Sequence, residues 1–132
     1  MKIIELSTDN RCQFVDITAQ VQALVSDSNM ASGAVVVCSA HTTAGITMNE
    51  NADPDVVSDV LATLARLAPR RGDYSHGEGN SDAHIKASLV GFSVTVPVEN
   101  GGLSLGVWQA IYFCEFDGPR RRRALVQFLP SP

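Results

Sequence analysis

The sequence predicts an α+β domain with a mostly antiparallel β-sheet or sandwich, two main helices and one short helix. Three observations carry this. Strand-like segments follow one another from Phe92 to Leu129 with no helical pattern between them, whereas a doubly wound parallel sheet needs strict alternation of strand and helix. Within that stretch Asn100-Gly101 marks a tight hairpin. Upstream, Val56, Val57, Val60, Leu61, Leu64 and Leu67 fall at helical spacing. A length of 132 residues fits one domain, residues 1–132, with a core of its own.

Lys2 to Ser7 and Gln13 to Ile17 read as short strands joined at Thr8-Asp9-Asn10, which has turn chemistry. Thr18 is placed to cap a helix from Ala19 to Ser28, with Val21, Leu24 and Val25 on one face. Gly33 to Ala40 is apolar and β-branched, the pattern of a central strand buried on both faces. His41 to Pro54 reads as a polar loop into the clearest helix. Asp53 caps that helix, Pro54 takes its first position and Pro69 ends it. Arg70 to Asp82 is the longest loop. Ser81 or Asp82 is expected to cap a short helix that runs to Leu89 and stops at Gly91. Phe92 to Val98 alternates as a half-buried strand, and Pro97 assigns it to an edge or a bulge. Leu103 to Gly106 pairs back across the hairpin. Trp108 to Phe116 and Arg120 to Leu129 are the last strands, turned at Asp117-Gly118-Pro119.

Composition narrows the function. The hydrophobic fraction is 45% and the net charge −4, so the chain is globular and lacks the basic balance of a general nucleic-acid binder. No apolar run reaches the ~20 residues that cross a bilayer, and the N-terminus lacks a signal peptide's apolar stretch. No nucleic-acid or membrane partner is expected, and a cytoplasmic location is. Cys12, Cys38 and Cys114 are scattered and form no CxxC, which argues against a disulfide framework or a cysteine zinc site. Phosphate-loop and dinucleotide glycine motifs are missing.

The chemistry concentrates in the two polar loops. All three histidines, His41, His76 and His84, lie in or beside them. Three imidazoles and a water make an open metal site; the spacing matches no zinc signature, so hydrogen bonding within the loops is the competing role. Glu50 and Glu78 flank the histidines with no structural duty of their own and are candidates for acid–base assistance. Asp53 and Asp82 are accounted for as caps. Thr42, Thr43, Asn49 and Asn80 can bond a ligand. In the run Arg120 to Arg123, alternate residues face opposite sides of a strand. Arg120 and Arg122 are taken as the pair that holds phosphate, and Arg121 and Arg123 as a solvated or intersubunit face.

Several stretches together resemble one family. They are His41-Thr42-Thr43-Ala44-Gly45-Ile46, Asn49 to Pro54, Tyr74-Ser75-His76-Gly77-Glu78-Gly79-Asn80-Ser81-Asp82-Ala83-His84, Trp108-Gln109, and Glu115-Phe116-Asp117-Gly118-Pro119-Arg120. In order and content they are similar to the YjbQ-like family, also called UPF0047 and often named secondary thiamine-phosphate synthase. The resemblance runs from about residue 10 to the C-terminus. It implies a homotrimeric α+β domain with a polar pocket at the histidines, near subunit contacts. It also implies a weak synthase activity that joins a pyrimidine pyrophosphate to a thiazole phosphate, releases pyrophosphate and typically uses Mg²⁺. The expected function is action on a phosphorylated small molecule through a histidine-rich pocket. His41, His76 and His84 would hold a divalent metal, Zn or Mg, or transfer protons. The alternative is a non-catalytic trimeric module that binds a metal or an anion.

Overall fold

A computed structural model describes residues Met1–Pro132. In chain order the elements are β1 (Lys2–Ser7), β2 (Gln13–Asp16), α1 (Thr18–Asp27), β3 (Gly33–Ser39), β4 (Ala44–Glu50), α2 (Pro54–Leu67), α3 (Ser81–Val90), β5 (Ser93–Glu99), β6 (Gly102–Leu103), β7 (Gln109–Glu115) and β8 (Arg121–Pro130). They form a five-stranded sheet, β1-β8-β3-β5-β6, and a three-stranded sheet, β2-β7-β4. Every pairing is antiparallel, so the predicted fold class holds.

The period-two pattern of the strands decides the layers. One core lies between the sheets, where Val35, Val37, Val96 and Val126 meet Ile46, Ile111 and Phe113, and Val21 and Val25 of α1 close it. A second core lies on the far side of the three-stranded sheet, where Ala110, Tyr112, Cys114 and Phe116 meet Ala83, Ala87 and Leu64 of α3 and α2. Strand β7 is therefore buried on both faces. Strand β3 is central, as expected, but only its core face is fully buried; Ala34, Val36 and Cys38 keep partial exposure.

The stretch from His41 to Pro54 is not a loop. Ala44 to Glu50 is strand β4, paired with β7 from Ala44↔Glu115 to Glu50↔Gln109. Ala44, Ile46 and Met48 alternate toward the first core, a pattern masked by the polar residues between them. Gly45 faces the other way, where a Cβ would stand 2.5 Å from the Gly91 carbonyl oxygen. Its bare backbone lets the end of α3 cross the strand. This corrects the distance between two candidates. Thr43 precedes β4 and Glu50 ends it, about 20 Å away at the rise of a strand.

The caps also differ in part. Asp53 accepts a hydrogen bond from the Asp55 amide at 2.9 Å, as predicted for α2. Thr18 lies inside α1, where its amide donates to Asp16 Oδ1 and its hydroxyl accepts from the Ile111 amide. The longer-range bond to β7 takes the hydroxyl from the capping role. Asp82 does not cap α3 but is wholly buried within it. The hairpin is as read: Asn100 and Gly101 have φ of +51° and +74°, the positive pair that a two-residue turn requires. Pro97 is also explained, because β6 pairs only with Val98 and Glu99 and leaves most of β5 as an edge.

Candidate functional site

Three segments distant in sequence meet at one end of the sandwich: the β3–β4 connection, the start of α3 with the loop before it, and the β7–β8 turn. Between them lies a cleft of about 360 Å³, whose lining includes His41, Thr43, Glu78, Asn80, His84 and Arg120. Thr42, Asp117 and the edge of Arg122 complete its wall.

A buried charge network assembles these segments. Asp117 accepts from Arg11 at 3.0 Å, from Asn80 Nδ2 at 2.9 Å and from Arg120 at 3.1 Å. Arg11 reaches on to Asp82 at 3.1 Å, and Lys86 Nζ donates to the same carboxylate at 3.0 Å. One arginine thus ties the β7–β8 turn to α3. Arg120 also donates Nε–H to the Asp117 carbonyl while staying half exposed. Its guanidinium is held in place with N–H groups to spare, a preset anion donor.

Arg122 is placed differently from its expected role. It is 3% exposed, and its Nε donates to both oxygens of Glu115, at 2.9 and 3.1 Å. Nη2 bonds Glu115 Oε2 and donates to Thr43 Oγ1 at 2.8 Å. Glu115 also accepts from the Thr8 hydroxyl and the amides of Phe116 and Asp117. Arg122 is therefore a floor for the cleft that fixes Thr43, with its charge neutralised from below.

The histidines do not converge on one point. His41 Nε2 accepts the Arg123 amide at 2.9 Å, which leaves Nδ1 as its N–H donor when the ring is neutral. His84 faces the same cleft. His76 stands beside His84, with ring centroids 5.3 Å apart, and its Nε2 is 3.7 Å from Glu78. No set of three His, Cys, Asp or Glu side chains in the chain could hold a metal. The predicted ligand set His41, His76 and His84 is not brought together around one point within one chain. Glu50 and Asn49 sit at the far end of β4. The Glu50 carbonyl accepts from Tyr112, and Asn49 Oδ1 accepts from the Glu50 amide.

Burial would raise the Glu115 carboxyl, but the hydrogen bonds from Arg122 and Thr8 overturn this and hold it below the usual range. For Asp82 burial likewise raises, while Lys86 and Arg11 win and lower it. Burial, then the charges of Arg122 and Arg123, push His41 below its ordinary 6.5. In all three the unfolded chain binds the proton more tightly, so stability rises with pH across the window between folded and unfolded values. The melting temperature is expected to fall in two stages on acidification. A small loss begins below pH 6.5 from His41, and a larger one below the ordinary carboxyl values of 4.5 for Glu and 3.8 for Asp. Thermal melts from pH 8 to 3 check this, and His41→Asn should abolish only the first stage.

Sequence and structure comparisons agree with this architecture. The model of the family described as "UPF0047 protein YjbQ-like" matches residues 2–131. The chain belongs to that family. This YjbQ-like chain is 48% identical over 125 residues to UPF0047 protein MJ1081 of Methanocaldococcus jannaschii, covering 95% of this chain and 91% of that protein. To UPF0047 protein YugU of Bacillus subtilis it is 47% identical over 130 residues, 98% of each. Its fold matches the crystal structure of an uncharacterized conserved YjbQ/UPF0047 family protein from Clostridium acetobutylicum with a TM-score of 0.96. The two are 53% identical, over 98% of this chain and 100% of that one. No helix of the YjbQ-like chain is long and apolar enough to cross a membrane.

Arg11, Lys86 and Glu115 have no site role in the sequence reading, and Asp82 has only that of a cap. Glu115 carried a readable signal. It shares the parity of Ile111 and Phe113 on an apolar row, and a carboxylate there needs a cation, with the four arginines only a turn away. Arg11 carried none, because nothing local in Asn10-Arg11-Cys12 points to α3.

Proposed function

We propose that this YjbQ-like chain acts on a phosphorylated small molecule bound in the cleft between the three turns. The observation that supports this most is the convergence of His41, His84, Thr43, Asn80 and Arg120 on one polar cavity from segments some forty residues apart. Arg120 takes the anion with its spare N–H groups. His41 offers a fixed Nδ1–H to the bound ligand, and His84, which has no bond of its own to another side chain, gives a proton to the departing pyrophosphate. Glu78 stands close enough to assist. The reaction assigned to this cleft is a weak thiamine-phosphate synthase activity, in which the ring nitrogen of a thiazole phosphate bonds to the methylene carbon of a pyrimidine pyrophosphate as the carbon–oxygen bond to pyrophosphate breaks. No step is routed through a metal, since one chain does not assemble ligands for it.

The assay is thiamine phosphate formation by the purified protein. His84→Ala should lower kcat by about a hundredfold, the lower end of what a positioned acid or base contributes. Arg120→Ala should raise KM and lower kcat less. Equal activity of wild type and His84→Ala would sink the assignment. The second reading, a trimeric metal- or anion-binding module located in the cytoplasm, is favoured by the adjacent pair His76 and His84. That pair could be completed by a neighbouring subunit. Stoichiometric zinc in a trimer that loses stability with a chelator, and forms no product, would decide for it.

A further inference from the structure

The four arginines of β8 divide in a way that points to a second site. Arg120 is paired with Asp117 and Arg122 with Glu115. None of the chain's ion pairs includes Arg121 or Arg123. Both are exposed on the outer face of the β1–β8 pair, opposite Ser7 and Glu5 in register. The face is concave: a cleft of about 480 Å³ is lined by Glu5, Ser7, His41, Arg121 and Arg123 among others. We propose that this outer cleft is a second anion site, in which Arg121 and Arg123 grip one phosphate group between them, with the Ser7 hydroxyl as a neighbouring donor.

The geometry suits that ligand. Residues two apart on a strand lie ~6.6 Å apart on the same face, and two guanidinium forks at that spacing can share one tetrahedral anion. The strand is rigid here because β1 pairs with it along Arg121 to Arg123. The Arg123 amide is further tied to His41. Arg122 adds no net charge, being neutralised by Glu115, so the cleft holds two guanidiniums against the single carboxylate of Glu5. Arg70 and Arg71 also lack an ion-pair partner and line an opening with Tyr74 and His76, but they stand on the loop between α2 and α3, where no ladder fixes their spacing. The outer site is independent of the catalytic reading: Arg120 and His84 belong to the first cleft, Arg121 and Arg123 to this one. His41 borders both.

The test is a titration of the ¹⁵N-labelled chain with inorganic phosphate at low salt, followed by amide NMR. Saturable shifts are expected at Ser7, Arg121 and Arg123. Arg121→Ala/Arg123→Ala should weaken phosphate at these signals by about tenfold or more, the loss of two charge-assisted contacts. Arg120→Ala and Arg70→Ala/Arg71→Ala should leave them within about twofold of wild type. Both target side chains are exposed, so the double variant is expected to fold, and its melting temperature confirms it. Arg121→Lys/Arg123→Lys should bind with intermediate affinity, because charge is kept and the fork is lost. The proposal is overturned if wild type shows no saturable shift at these residues. It is equally overturned if the shifts survive Arg121→Ala/Arg123→Ala, or vanish with Arg120→Ala or Arg70→Ala/Arg71→Ala. Failure of the synthase assay leaves this result unaffected, so the two readings fail separately.

Discussion

Arg122→Ala is expected to lower the unfolding free energy by about 3–5 kcal/mol, a large part of the stability of a domain this size. The cause is the charge left behind. Glu115 is fully buried, and its remaining partners are the Thr8 hydroxyl and the amides of Phe116 and Asp117. Those neutral donors cannot replace a guanidinium that meets both carboxylate oxygens. Chemical denaturation of wild type and variant measures the loss. A second variant separates charge from packing. Glu115→Gln added to Arg122→Ala removes the buried charge but keeps an acceptor, so the double variant should be more stable than Arg122→Ala alone. A double variant no more stable than the single one would show that the cavity, and not the stranded carboxylate, sets the cost. The same substitution frees Thr43 Oγ1, and the cleft should lose anion affinity even where the protein stays folded.

Asp82→Ala is the second large effect, at about 3 kcal/mol or more. Lys86 is 4% exposed, and Asp82 is its only hydrogen-bond partner. Without it the ammonium is buried alone. Arg11 keeps Asp117 but loses its hold on α3. Stability measured by denaturation should fall, and Lys86→Met in the Asp82→Ala background should recover most of the loss by removing the unpaired charge. An exposed carboxylate on α2, Asp59, gives the contrast: Asp59→Ala should change stability by no more than about 0.5 kcal/mol. If the two substitutions cost the same, the network around Arg11 does not hold the cleft together.

What could be read from the chain depended on the range of the interaction. Helix α2 was legible to the residue because its cap, its first-turn proline and its apolar spacing are all local. The Asn100-Gly101 turn was legible for the same reason, since the φ angles it needs belong to those two residues. Strand β4 looks like a loop in the sequence because its polar residues are the more conspicuous, and its weak alternation becomes a strand only when β7 offers a ladder. Asp82 looked like a cap because the residue type suits one, yet Arg11 and Lys86 draw it inward. Of the candidate residues, His41, Thr42, Thr43, Glu78, Asn80, His84 and Arg120 meet at one cleft, with Arg122 beneath them. His76 stands at its margin beside His84. Glu50 and Asn49 are carried away by the length of β4.

By itself the sequence determined the fold class, the helices, the hairpin and the two polar regions where chemistry gathers, since each rests on propensity and periodicity within a dozen residues. Its motifs also determined the family. Only the tertiary structure decided which arginines meet a carboxylate and which do not. Alternation along a strand separates Arg120 and Arg122 from Arg121 and Arg123, but it does not say which pair meets a carboxylate. That depended on Glu115 and Asp117, brought under β8 by the packing of one sheet on the other. The pair read as binding phosphate is anchored, and the pair read as solvated is unengaged, because a buried carboxylate must find a cation: Glu115 took the inward-facing Arg122, and Asp117 the half-exposed Arg120 three residues on.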